Sequence, residues 1–179
     1  KETNYNIFKI DTKIAGITPD EKYTKIKEYL GSNFNILVTS LEDIAYLTNL
    51  RSYDFEYSAI FPAKAIINEN KAIIFTNCSL PYIGEYFEVR TLPEYETALK
   101  SLDRAELFID ESQLTIYDYK LINQSNKILP SYFKLYKTVK NDNEIAHLKH
   151  CFERADKSLK IVYDMLNSET IYSEYDYYE

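Results

Sequence analysis

With 179 residues, 45% of them apolar, the chain is long enough to bury the core of one ordinary domain and some additional structure. A net charge of −7, with scattered lysines and no basic run longer than two residues, excludes a track for nucleic-acid phosphates, which needs clustered Lys and Arg. No apolar run approaches the length of a membrane span and no signal peptide opens the chain, so neither a membrane nor a nucleic-acid partner is expected.

Cys78 and Cys151 lie far apart and make neither a zinc knuckle nor a disulfide framework; they read as reduced thiols of a cytoplasmic protein. Three isolated glycines leave no phosphate-cradling loop, and no Gly-x-Ser-x-Gly elbow is present. Residue 1 is Lys and the only methionine is Met165, so the sequence reads as cut from a longer protein at its front.

Residues 1–16 read as an extended lead-in anchored by Ile7, Phe8 and Ile10. Thr18-Pro19-Asp20-Glu21 is a capping box with Pro at the first helical position, and predicts a helix through Ile26 and Leu30 that stops at Gly31. Ile36-Leu37-Val38 is an apolar run suited to a buried strand. Ser40 and Asp43 form a second capping box, a hydroxyl and a carboxylate able to satisfy two orphan backbone donors reciprocally. The short helix behind it presents Ile44, Ala45 and Leu47 on its apolar face and ends at Asn49-Leu50-Arg51. Asp54 to Ser58 is polar and aromatic loop, and Ile60-Phe61 begins the next apolar segment.

Ala65-Ile66-Ile67 and Ala72-Ile73-Ile74-Phe75 flank a polar Asn68–Lys71 turn and predict a β-hairpin. Ser79 is expected to cap a short helix to about Gly84, and Tyr86 to Arg90 alternates as a strand. Thr91 with Glu94 predicts a helix to near Leu102; Glu106–Asp110 a strand; Thr115–Ile122 a helix; Ile128-Leu129 a last strand before Pro130. Strands alternating with helices, plus one hairpin, predict an α/β fold with a mixed sheet flanked by helices. Asn141 and Glu144 then open a long C-terminal amphipathic helix, with Ile145, Leu148, Phe152, Ala155, Leu159, Val162 and Leu166 alternating at spacings of three and four. Its stripe is expected to fold back on the same chain or to pair with the same helix of a second one. Ser173 and Asp176 are placed to cap a further helix.

Thr39, Leu41, Glu42, Asp43, Ile44, Ala45, Tyr46, Leu47, Asn49, Leu50, Arg51, Ser52 and Asp54 resemble, without a gap, the pattern T-x-L-D-[DE]-I-A-W-L-x-N-L-R-G-x-D of the aminopeptidase P (Xaa-Pro aminopeptidase) family. Tyr46 replaces the usual Trp and Ser52 the usual Gly. Gly16, Thr18, Glu21 and Lys22 are similar to the family's G-x-[ST]-x-x-E-K lead-in. Lys137 to Ile145 resembles the K-x-x-K-N-x-x-E opening of the first helix of its catalytic, pita-bread domain; Phe152 stands where the family often has His. The resemblance is weakest between Cys78 and Gln124.

The resemblance implies an extended lead-in over residues 1–17, a creatinase/prolidase N-terminal-like α/β domain over 18–137, and the start of a truncated pita-bread metallopeptidase domain over 138–179. Such a domain is the second, non-catalytic one of the three-domain enzymes. The whole enzyme would act as an Xaa-Pro aminopeptidase or X-Pro dipeptidase, cutting proline-containing peptides with two divalent metal ions, manganese in this reading. Two Asp, one His and two Glu hold those metals well beyond the first pita-bread helix, so the resemblance places no catalytic or metal-binding residue and no cofactor in this chain. It also implies a homodimer. A second reading is a catalytically dead peptide- or histone-binding module of the same fold.

His147 and His150 sit at i, i+3 with Glu144 and Glu153 nearby; a metal at that spacing would need partners from other helices, and a solvated helix face with its charge pairs is the better reading. Arg51 and Asp54 follow a helix end in a loop bracketed by Tyr46, Tyr53, Phe55, Tyr57 and Phe61. The resemblance implies that N-terminal domains overhang the active site or touch the other subunit. Arg51, Tyr53, Asp54 and Phe61 are therefore candidates for a substrate lip or interface, against the plainer reading of a salt bridge that holds the loop.

Overall fold

Ile36, Leu37 and Val38 are all buried because their strand runs through the middle of a sheet covered on both faces. The computed structural model describes residues 5–102, 106–122, 128–130, 133–168 and 173–177. In chain order these form β1 (Phe8–Lys9), α1 (Thr12–Ala15), α2 (Pro19–Leu30), β2 (Phe34–Val38), α3 (Leu41–Thr48), β3 (Leu50–Arg51), β4 (Lys64–Asn68) and β5 (Ala72–Phe75). There follow β6 (Phe87–Arg90), α4 (Glu94–Lys100), β7 (Glu106–Ile109), α5 (Ile116–Leu121), β8 (Ile128–Pro130), α6 (Phe133–Thr138) and α7 (Asp142–Leu166), with a 3-10 turn at Tyr175–Tyr177. By contacts the chain divides into two units, Lys1–Val139 and Lys140–Glu179.

The main sheet has the order β6-β5-β4-β2-β7-β8. β2–β4 and β4–β5 are antiparallel; β5–β6, β2–β7 and β7–β8 are parallel. Alternation along the strands splits the core in two. Phe34, Ile36, Val38, Ala65, Ile67, Ala72 and Ile74 face Tyr23 and Ile26 of α2 and Ile44, Ala45 and Leu47 of α3. Leu37, Ile66, Ile73, Phe75, Leu107 and Ile109 face Tyr95 and Leu99 of α4 and Ile122. The result is a mixed α/β sandwich, with helices on both faces, followed by one long helix.

Burial on the second face includes a charge. Asp118 is fully buried and accepts from Lys64, from the Tyr95 hydroxyl at 2.7 Å and from the Thr115 hydroxyl at 2.6 Å. Lys64 Nζ also lies 4.4 Å from the Tyr95 ring centre. Burial alone raises the Asp118 pKa, but the hydrogen bonds from Lys64, Thr115 and Tyr95 outweigh it and hold the carboxyl below its ordinary value. The same site, by burial first and Asp118 second, pushes the Tyr95 phenol well above its ordinary range.

Caps account for most helix starts. Thr18 and Glu21 form a full capping box on α2, and Gly31 ends it at φ 76°, where a side chain is strained. Asn141 and Glu144 form another on α7. The Ser40–Asp43 box forms by half. Ser40 Oγ accepts from Asp43 N at 3.3 Å, while the Asp43 carboxylate meets Lys137 of α6 as a point charge. Thr91 binds the Glu94 carboxylate through its N–H and hydroxyl, but the helix proper begins only at Glu94.

Three expectations are corrected. The lead-in is not wholly extended: Asp11 accepts from Lys13 N and nucleates the single turn of α1, which Gly16 closes at φ 76°. Leu50-Arg51 does more than end α3; it pairs antiparallel with β1 as a second, two-stranded sheet. No helix forms between Ser79 and Gly84. The backbone N–H groups just beyond it, Glu85 and Tyr86, each donate at 3.1 Å to the Asp20 carboxylate at the start of α2. Gly84 permits that approach, since a Cβ there would lie 2.4 Å from Asp20 Oδ1.

In the second unit α7 has no buried residue, and Phe152 and Leu159 of its stripe are largely exposed. Ser173 and Asp176 do cap one another, around the 3-10 turn.

Candidate functional site at the Arg51 to Asp54 loop

The site starts from the C-terminus of α3. Asn49 takes the left-handed conformation, φ 54°, that Asn tolerates better than most residues, and turns the chain into β3. Its side chain donates to Ile17 O at 2.8 Å and accepts from Lys22 Nζ at 2.6 Å. Lys22 is itself buried; its ammonium also donates to Tyr46 O and sits 3.7 Å from the Tyr46 ring centre. A carbonyl, an amide oxygen and a ring face thus surround one cation and lock α2 to the end of α3.

Arg51 continues that work. Its guanidinium donates to Ala45 O in the last turn of α3 and, at 2.8 Å, to Leu50 O of β3. Asp54 does something separate. It accepts from the Ser52 hydroxyl and, at 2.7 Å, from Asn6 N, tying the lead-in to the loop. The Ser52 hydroxyl first, and the Asn6 amide second, hold the Asp54 carboxyl below its ordinary pKa. Ser52, where the resembling pattern has Gly, is fully buried beneath it.

Tyr53 is 76% exposed and tilts against Phe8 with ring centres 5.0 Å apart. Phe55 stacks on Tyr5 at 5.7 Å. Asn6, Phe8, Tyr53 and Asp54 line a shallow groove of about 470 Å³ beside the β1–β3 ribbon. The structure therefore gathers Tyr53 and Asp54 on one surface, with Arg51 half-buried behind them. Phe61, grouped with them by sequence, is fully buried in the core on the α2–α3 side of the sheet.

Sequence reasoning missed the lead-in side of this surface, Tyr5, Asn6 and Phe8, and the anchoring role of Lys22. Lys22 carried a signal as part of the lead-in match with Gly16, Thr18 and Glu21, and Phe8 only as an apolar anchor of the lead-in. On α7, His147 Nε2 lies 3.5 Å from Cys151 Sγ, and the Glu144 carboxylate is spent on Asn141 N as a cap. Among the described residues no group of three or more His, Cys, Asp or Glu could hold a metal ion. Those described residues therefore offer no donor set that fits a pair of divalent ions.

Comparison with known proteins adds the following. The family model described as the creatinase/prolidase N-terminal domain matches residues 1–144. Xaa-Pro aminopeptidase 2 of Mus musculus is 26% identical over 164 residues, which cover 80% of this chain and 24% of that protein. A probable Xaa-Pro aminopeptidase P of Coprinopsis cinerea is 28% identical over 107 residues, covering 55% and 17%. The chain thus spans only 17% and 24% of the length of these two curated relatives. Among solved structures, the X-prolyl aminopeptidase of Caenorhabditis elegans, described as a cytosolic enzyme with a di-nuclear active site, superposes with a TM-score of 0.79 at 16% identity, covering 99% of this chain and 32% of that one. The Xaa-Pro dipeptidase of Bacillus anthracis gives 0.61 at 18% identity, over 83% and 44%. At such identities the structures establish the fold; the family match, which takes in the sheet, the loop and every capped helix up to the start of α7, shows that the chain belongs to the creatinase/prolidase N-terminal domain family.

Proposed function

We propose that this chain is a non-catalytic N-terminal-type domain of a metallopeptidase that cuts next to proline. In this reading the whole enzyme is a cytoplasmic homodimer carrying two divalent ions, manganese by resemblance, in a separate catalytic domain. Those ions would polarise the scissile carbonyl and supply a hydroxide nucleophile. The observation that carries the reading is the family match over residues 1–144, joined by curated relatives that are Xaa-Pro aminopeptidases. The domains are read as a lead-in over 1–17, the N-terminal-type domain over 18–137 and the start of the catalytic domain from 138.

Arg51, Tyr53 and Asp54 would form part of the lip that restricts access to short peptides or meets the second subunit. Tyr53 and Asp54 are the members with surface to offer; Arg51 and the buried Phe61 would support them from behind. The test has two arms. This chain alone, with manganese, cobalt or zinc added, should release nothing from an Xaa-Pro peptide. The coding sequence around it should supply two Asp, one His and two Glu as metal ligands, and that longer product should cleave the peptide and lose activity to a chelator. A longer product lacking those five ligands would replace the peptidase with a binding module. Turnover by this chain itself, abolished by His147→Ala, would move the chemistry onto α7.

A further inference from the structure

We infer that the groove beside the β1–β3 ribbon binds an arginine side chain carried on an extended peptide. The inference stands apart from the peptidase reading, because it rests on this groove alone. Its lining includes the Phe8 and Tyr53 rings, which pack on each other with centres 5.0 Å apart at 41° and leave Tyr53 largely open to solvent. Its rim carries the Asp54 carboxylate, the only charged group among the described residues lining it. The two basic residues of the ribbon point their cations at backbone carbonyls: Lys9 at Ile83 O, 3.2 Å away, and Arg51 at Ala45 O and Leu50 O.

Holding the loop accounts for one oxygen of Asp54, since Asn6 N and the Ser52 hydroxyl both donate to Oδ2. It does not account for Tyr53, which leaves 76% of its surface in water on the rim of a concave site. An open aromatic face beside a fixed, ionised carboxylate suits one class of group best. A guanidinium is planar, stacks on rings and meets carboxylates through paired N–H donors. An apolar side chain would use the rings and leave the charge unmatched, and an anion would be repelled. The carboxylate is already oriented by two donors, so little rotamer freedom remains to be lost on binding.

The experiment titrates the full chain with an N-acetylated, C-amidated hexapeptide containing one arginine, followed by backbone amide NMR. A matched peptide carries citrulline, which has the same shape without the charge. Arginine peptide is expected to shift the Phe8, Tyr53 and Asp54 amides. Its dissociation constant should rise roughly tenfold for the citrulline peptide and for Asp54→Asn, the size of one charge-assisted contact. Asp54→Asn keeps an oxygen for Asn6 N and Ser52, and the citrulline comparison needs no mutation at all. Equal binding of the two peptides, shifts confined to another surface, or no shifts at millimolar peptide overturns the inference. So does an unblocked, arginine-free peptide that binds as tightly through its terminal ammonium.

Discussion

Helix α3 has eight residues and buries five of them; α7 has 25 residues and buries none. Both begin with a polar side chain accepting from the N3 backbone, Ser40 for α3 and Asn141 for α7. The cap is more complete on α7, where Glu144 returns a bond to Asn141 N. Capping therefore sets where each helix starts but does not rank their stabilities. What separates them is the fate of the apolar face. Leu47 is 0% exposed and packs on the sheet, whereas Phe152 is 67% exposed. Because helical stability in proteins comes mainly from burying one face, α3 should be among the last parts of the chain to open and α7 among the first.

That contrast can be broken most directly at its apolar residues. Leu47→Ala should cost about 2–5 kcal/mol in chemical denaturation, the range for truncating a buried leucine. Leu159→Ala and Glu42→Ala, both on exposed positions, should stay within about 0.5 kcal/mol of the unmodified chain. A Leu159→Ala penalty matching Leu47→Ala would mean that the α7 stripe is covered in solution. Equal midpoints for Leu47→Ala and Glu42→Ala would mean that the face of α3 is wrongly assigned.

The second face of the sheet should be nearly as sensitive, through a charge. Asp118→Ala removes the partner of Lys64 and of the Tyr95 hydroxyl and should cost about 3 kcal/mol, the low end for breaking a buried ion pair, because Lys64 is partly exposed. The pH dependence has a fixed sign. The Asp118 pKa is depressed in the folded state, so its contribution is present above the unfolded value of about 3.9 and disappears as pH falls through the folded value. Unfolding followed from pH 6 down to acid should show the stability gap between the unmodified chain and Asp118→Asn closing below about pH 4. A gap that stays constant there would remove Asp118 as the acid-sensitive group.

Gly84→Ala comes next. The glycine has an unremarkable φ, so the cost is one of space: the new Cβ would displace the Asp20 carboxylate from Glu85 N and Tyr86 N. About 1–3 kcal/mol is expected. Asp20→Ala should cost a similar amount, and the double variant no more than either, since both changes break the same two bonds. Additive penalties would show that Gly84 matters for another reason.

These particular residues mark how far the sequence was legible. The hairpin β4–β5, the strands β2, β6 and β7, and the capped helices α2, α3, α5 and α7 were readable because their signals are local: a turn between apolar runs, or a cap three residues from its partner. The Ser79–Gly84 helix was misread because the carboxylate that holds the chain just beyond it, Asp20, lies 65 residues before Glu85. The same distance problem hid Lys64 from Asp118 and Lys137 from Asp43. At the candidate site, the pattern ending in Arg51 and Asp54 located the loop correctly. It could not show that Asn6 and Phe8 complete the surface, because a ribbon of two-residue strands has too little periodicity to read. Nor could it tell Phe61 from Tyr53, since both are aromatic residues beside the same loop and only the sheet decides which one turns inward.

The smallest expected effect tests the cap of α7 by itself. Asn141 accepts from Asn143 N and Glu144 N, both at 3.0 Å, and Glu144 accepts from Asn141 N at 2.9 Å. Asn141→Ala removes the first two bonds and should weaken the helix by about 1 kcal/mol. In α3 a loss of that size would be masked by the buried face, which keeps the helix formed until the whole domain unfolds. In α7 no buried face provides that reserve, so the loss should appear as fraying: faster amide exchange over the first two turns, with the global denaturation midpoint unchanged. Placing Ser or Asp at position 141 instead should keep the protection, because either side chain can accept the same N–H bonds. A midpoint that drops as amide exchange speeds up would show that α7 unfolds with the sheet as one cooperative unit, and the contrast between the two helices would then be one of exposure alone.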